Sequence, residues 1–139
     1  MLLSGVRMDI YYSLQLMISG LISGAILFHT AFVAPTIFTK VAAESRAPFL
    51  RAIFPKLFKA IAGGGILFTI MVFLSISSST VTYFVGGYTI AAGVICDLLI
   101  PATNKARDEG DNKKFAVLHK ISVLATIAVL LINVGWVFV

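Results

Sequence analysis

Four long apolar runs, interrupted by two short basic stretches, limit what this chain can become more than any other feature. Ten of the eleven Lys and Arg residues fall in those stretches. Lys40, Arg46, Arg51, Lys56 and Lys59 make the first, Lys105, Arg107, Lys113, Lys114 and Lys120 the second, and Arg7 lies apart. Each apolar run approaches or exceeds the roughly 20 residues that carry a helix across a ~30 Å hydrocarbon core. Basic residues beside membrane spans stay on the cytoplasmic side, because moving them across is unfavourable. Both stretches must then face one compartment, which puts two crossings between them and both termini outside.

The composition agrees with this. The chain has 139 residues, 59% hydrophobic and 12% charged, whereas soluble domains carry about a quarter charged residues. That is enough length for four spans and too little for an added soluble domain. The net charge of +5 belongs to loops that meet anionic headgroups. No basic face with interleaved aromatics is free to meet a phosphate backbone, so nucleic acid is not an expected partner. Cys96 is alone, which excludes an internal disulfide. The apolar N-terminal region lacks a small-residue cleavage site after a short core, and reads as a retained first span. Met1 and Met8 both fit as its start.

The expected fold is all-α: an integral membrane up-down four-helix bundle with a basic amphipathic segment between helices 1 and 2. The spans are predicted at about 11–38, 60–76, 81–100 and 115–139. Pro35 should bend the end of the first span. Gly20 and Gly24, with Ser23 and Ala25 adjacent, form a small-residue patch that a neighbouring helix could approach closely. Pro48 suits a first-turn position of the amphipathic segment, whose Phe49, Leu50, Ile53, Phe54, Leu57 and Phe58 supply apolar faces. That segment should lie on the membrane surface or extend the second span. Gly63, Gly64 and Gly65 mark close packing or a local irregularity. Ser77 to Thr80 read as a polar turn, Pro101 as the end of the third span, and the residues from Ala102 to Asn112 as a loop. Trp136 reads as an interfacial anchor of the fourth span.

Ionisable groups inside spans are the candidates for chemistry, since burying them is unfavourable unless they are paired. His29, Asp97 and His119 sit on three different spans. Asp97 lies about 6 Å before Pro101 and His29 about 9 Å before Pro35 along their helices. All three are expected in the cytoplasmic half. Each also has a structural reading: His29 as a core histidine, His119 as a solvated one, and Asp97 in an ion pair with Lys105 or Lys120. Cys96 reads as a small packing residue. In the functional reading, His29 and His119 supply two axial ligands to the iron of a b-type haem or related porphyrin. Arg51, Lys56 and Lys59 would then meet the propionates, and Asp97 would orient an imidazole or accept a proton. Two alternatives belong to other classes: a proton or cation transport component using Asp97 and the histidines, and an accessory subunit of a larger membrane complex or homo-oligomer. Soluble-enzyme signatures such as a phosphate loop, a CxxC pair, HExxH or a nucleophile elbow are missing.

Several runs resemble the TMEM205-like (DUF4149) membrane proteins. They are His29-Thr30-Ala31-Phe32-Val33-Ala34-Pro35-Thr36-Ile37-Phe38, then Phe49-Leu50-Arg51-Ala52-Ile53-Phe54-Pro55, then Pro101-Ala102-Thr103 with Lys105, Ala106 and Arg107. The last is Phe115, Leu118, His119 and Ser122 in the spacing F-x-x-L-H-x-x-S. Ile100 stands where that family has an Asn before the proline, and its Asn after the serine is replaced near Thr126. The resemblance implies the four-span fold and no settled activity. The arrangement of His29, Pro35 and Phe38 is also similar to HemJ-type oxidases and CopD-type copper domains, which implies haem or metal ligation. Thr36 stands where the HemJ pattern has an Arg.

Overall fold

The computed structural model describes residues 10–76 and 78–139; Met1, Arg7, Met8 and Ser77 lie outside them. The described residues fold as a bundle of four long helical rods. The first rod is α1 (Ile10–Phe28), a π-helical turn (His29–Val33) and α2 (Ala34–Lys40) in one continuous run. The others are α3 (Ala43–Leu74), α4 (Thr80–Asp108) and α5 (Asn112–Gly135), which ends in a 3₁₀ turn (Trp136–Phe138). Each rod is long and apolar enough to cross a membrane. Helix α1 packs on α3 and α5, and α4 packs on α3 and α5, so consecutive rods are antiparallel neighbours around a closed ring.

The links are short and chemically specified. Val41 and Ala42 take extended backbone between α2 and α3. Ser79 caps α4 in a reciprocal box with Thr82, accepting from the Thr82 N–H (3.4 Å) while its own N–H donates to Thr82 Oγ1 (3.1 Å). Between α4 and α5, Gly110 adopts φ +71°, the left-handed value that ends helices most readily at glycine. Asp111 then caps α5 by accepting from the Lys114 N–H at 2.9 Å.

The spans run longer than the sequence pattern predicts, and always at the basic end. The amphipathic segment is no separate element but the first part of α3, extending the second span. Its Pro48 is not in the first turn: α3 starts at Ala43, so Pro48 and Pro55 are interior. Pro101 likewise does not end the third span, because α4 continues to Asp108. Pro101 lacks the N–H that would bond the Asp97 carbonyl, yet the helix beyond it is held by tertiary contacts. Ala106 is fully buried and Arg51 on α3 pairs with Asp108 on α4, while within α4 Thr103 adds a local bond to the Leu99 carbonyl at 2.8 Å. Most of the expected 102–112 loop is therefore helix. At 1.5 Å per residue, the 32 residues of α3 run about 48 Å, well beyond a ~30 Å core, so the basic residues ride on a projecting end.

Glycine sets the spacing of α3 and α4. A Cβ at Gly93 would lie 2.7 Å from the Ala62 nitrogen, and one at Gly65 would lie 2.9 Å from the Ile90 nitrogen. Backbone meets backbone there, which only glycine permits. Gly20 and Gly24 do the opposite of what the sequence implies within the chain, since nothing lies within 4 Å of a Cβ built at either. Two apolar layers fill the interior. Ile22, Ile26, Phe58, Ile61, Ala92, Cys96 and Val129 form the layer nearer the basic end. Phe68, Val72, Val85 and Trp136 form the other.

Candidate functional site

At the basic end, His29 begins the π turn, which widens the first rod just before Pro35. Its half-buried ring lies edge-on to Phe54 of α3, centroids 5.3 Å apart, and Phe54 stacks on Phe58 at 5.8 Å. His119 is exposed on α5, where it stacks on Phe115 of its own helix at 5.6 Å with the planes 6° apart. The Arg107 guanidinium lies 4.1 Å from the Phe115 ring centroid. Asp97 is half-buried on α4 and makes no hydrogen bond or ion pair among the described residues. Lys105 instead pairs with Glu109 one turn on, at 3.7 Å. Arg51 is taken up by Asp108, while Lys56 and Lys59 are exposed on α3.

No ring contact or hydrogen bond among the described residues joins His29, Asp97 and His119, and none holds a cluster of three metal-ligating side chains. The apolar layer adjoins two of them: Ile26 is one turn from His29, Cys96 is next to Asp97, and both are nearly inaccessible. Cys96 behaves as the packing residue expected, its thiol 3.8 Å from the Ser122 carbonyl. A porphyrin lying between two axial imidazoles needs an open slot at this level. Among the described residues no ring contact joins the two imidazoles, and Ile26 and Cys96 pack in the interior near His29 and Asp97.

The polar interior lies toward the other end, in residues that sequence reasoning passed over. Ser19 on α1 donates to Asn133 Oδ1 on α5 at 3.1 Å. The Asn133 amide donates to Thr89 Oγ1 on α4 and to the Val129 carbonyl, both at 2.9 Å. The Thr89 hydroxyl in turn donates to the Val85 carbonyl at 2.7 Å. Trp136 is no interfacial anchor: it is 6% exposed, its indole N–H donates to Ser19 Oγ at 2.9 Å, and its ring meets Phe68 and Tyr12 edge-on at 5.5 and 5.7 Å. Such a network ties three helices together, because in a dry interior each donor and acceptor needs a partner. Asn133 and Ser19 use theirs within the bundle.

Two buried polar atoms among the described residues are left over. Gln15 donates to the Met71 carbonyl at 3.2 Å, but its Oε1 and the Ser23 hydroxyl are buried without a partner. Gln15, Ser19 and Ser23 recur every four residues on one face of α1, a spacing that could have revealed this polar seam. Ser23 opens onto a groove of about 240 Å³ between α1 and α5, lined also by Ser19, Gly20, Asn133, Val134 and Val137. Comparison of the chain with known protein families, curated proteins and solved structures gives no match.

Proposed function

We propose that this chain is an accessory subunit of a larger membrane complex, a helical packing module of TMEM205-like type inserted with its basic end toward the cytoplasm. One observation carries the proposal. The interior is closed, by apolar layers and by a hydrogen-bond network that mostly satisfies itself, while His29 and Asp97 are half-buried at its edge and His119 is exposed. A conduit for protons or cations needs polar groups along a wet path, and the layer beside Asp97 is apolar. What the molecule offers outward is long apolar helix faces for lipid or other spans, and a basic rim for headgroups or acidic partners.

The test is purification of the tagged chain from its native membranes in a mild detergent. Stoichiometric co-purification of other membrane subunits, unchanged in His29→Ala, Asp97→Asn and His119→Ala, is the expected result. A chain that always emerges without other subunits sinks the proposal.

A second reading, ligation of haem b, is favoured by the exposed ring of His119, which a cofactor held outside the bundle or between copies can reach. A Soret band that sharpens on dithionite reduction and disappears in His119→Ala would put it first.

A further inference from the structure

The acidic residues at the α4–α5 corner are already engaged. Asp108 pairs with Arg51, Glu109 with Lys105, and Asp111 accepts the Lys114 N–H that it caps. Lys113 and Lys114, in the first turn of α5, are exposed and make no ion pair among the described residues. Both line an open groove of about 300 Å³, whose other walls are Asp111, Val117 and Leu118. Cations therefore mark one end of the groove, and apolar side chains follow one turn further along. At about 100° per residue, Val117, Ile121, Leu124 and Leu131 fall within an arc of about 80° on α5, and all four are exposed. Lys113 falls in the same arc and Lys114 about 20° beyond its edge. Depth agrees with this pattern. The fourth rod from Asn112 to Phe138 has 27 residues, about 40 Å at 1.5 Å each, which matches a bilayer with its headgroup layers. With Phe138 at one surface, the two lysines lie among the headgroups of the other.

We infer that this groove holds an anionic phospholipid, its phosphate against Lys113 and Lys114 and an acyl chain along the stripe that begins at Val117. The occupant follows from charge and from depth together. Two ammonium groups in the groove face one carboxylate, and a headgroup with a single net negative charge balances the surplus. A zwitterionic lipid would suit the apolar wall but brings its own cation to the lysines. An acidic peptide would suit the lysines but has no use for Val117, Leu118 and the exposed stripe beyond them. The recognising groups are the ammonium groups, not the helix end, since Asp111 already occupies the N–H of Lys114. Cations at headgroup level draw anionic lipids from a mixed leaflet, and the apolar stripe below gives the chain of the bound lipid a continuous surface.

The inference is independent of the accessory-subunit reading, which fails if no foreign subunit co-purifies; this one is read with no other protein present. The full-length chain is placed in vesicles of equal phosphatidylcholine and phosphatidylglycerol, with brominated acyl chains on one lipid or the other. A bimane on Ile121→Cys, in a Cys96→Ala background, reports which lipid lies against the stripe by how strongly each quenches it. A preference for phosphatidylglycerol of about fivefold is expected, the scale that one lysine near a headgroup supplies. The same dye on Leu131→Cys, about 15 Å further along the stripe, should show no preference. Lys113→Gln with Lys114→Gln should bring Ile121 down to the level of Leu131. Lys56→Gln with Lys59→Gln, exposed cations on α3, should leave it unchanged. Equal quenching by the two lipids at Ile121 overturns the inference, as does a preference that survives loss of Lys113 and Lys114. An equal loss in the α3 variant would mean a diffuse field and no site, and overturns it too. So does a preference abolished by polyglutamate or inorganic phosphate at an ionic strength where sodium chloride leaves it intact, because the groove would then take a soluble anion.

Discussion

Asn133 connects distant parts of the chain while using all its amide hydrogens indoors. Asn133→Leu keeps the branched outline of the side chain but strips the acceptor from Ser19 and the donor from Thr89. It should lower stability by about 1–2 kcal/mol, the range for hydrogen bonds between membrane helices and for orphaned buried groups, read from unfolding in mixed micelles. The three consecutive glycines make a sharper contrast. Gly63→Ala meets nothing within 4 Å and should be neutral or stabilising by up to about 1 kcal/mol. Gly65→Ala drives a methyl against the Ile90 backbone, which cannot swing aside, and should destabilise by about 1–3 kcal/mol. Sequence reading flagged these glycines for close packing but could not tell which of them faced α4. Nor did it single out Asn133 or Gln15, because uncharged polar residues in an apolar run carry no obvious label until their partners on other helices are known.

At the scale of the helix, the spans were legible because hydropathy over about 20 residues reports the bilayer directly. Their ends at the basic side were not. Proline is a strong local stop, but here tertiary contacts overrule it, as α4 shows by continuing through Pro101 to the Arg51–Asp108 pair. That pair is exposed and worth little alone; burial of Ala106 does more to hold the extension. Pro101→Ala restores a donor for the Asp97 carbonyl and should stabilise α4 by about 1–3 kcal/mol. Amide exchange across residues 97–105 should slow accordingly. Faster exchange there would mean that a proline-dependent bend is needed for the packing.

For the molecule as a whole, placing both basic stretches at one end fits a single orientation in the bilayer. Lys114→Cys, in a Cys96→Ala background, should react with a membrane-impermeant maleimide only from the cytoplasmic face; labelling from the other face would invert the proposed topology. The long-range bonds also carry a consequence for how the protein is made. Ser19 is separated from Asn133 by 114 residues and from Trp136 by 117. At ~5–20 residues per second of synthesis, about 6–23 s pass after Ser19 is made before its partners exist. Throughout that interval Ser19 on the polar face of the first helix lacks both partners, and for about the first half of it Gln15 also lacks the Met71 carbonyl, 56 residues on. During its biogenesis the insertion machinery, rather than the finished fold, must keep that face out of the lipid.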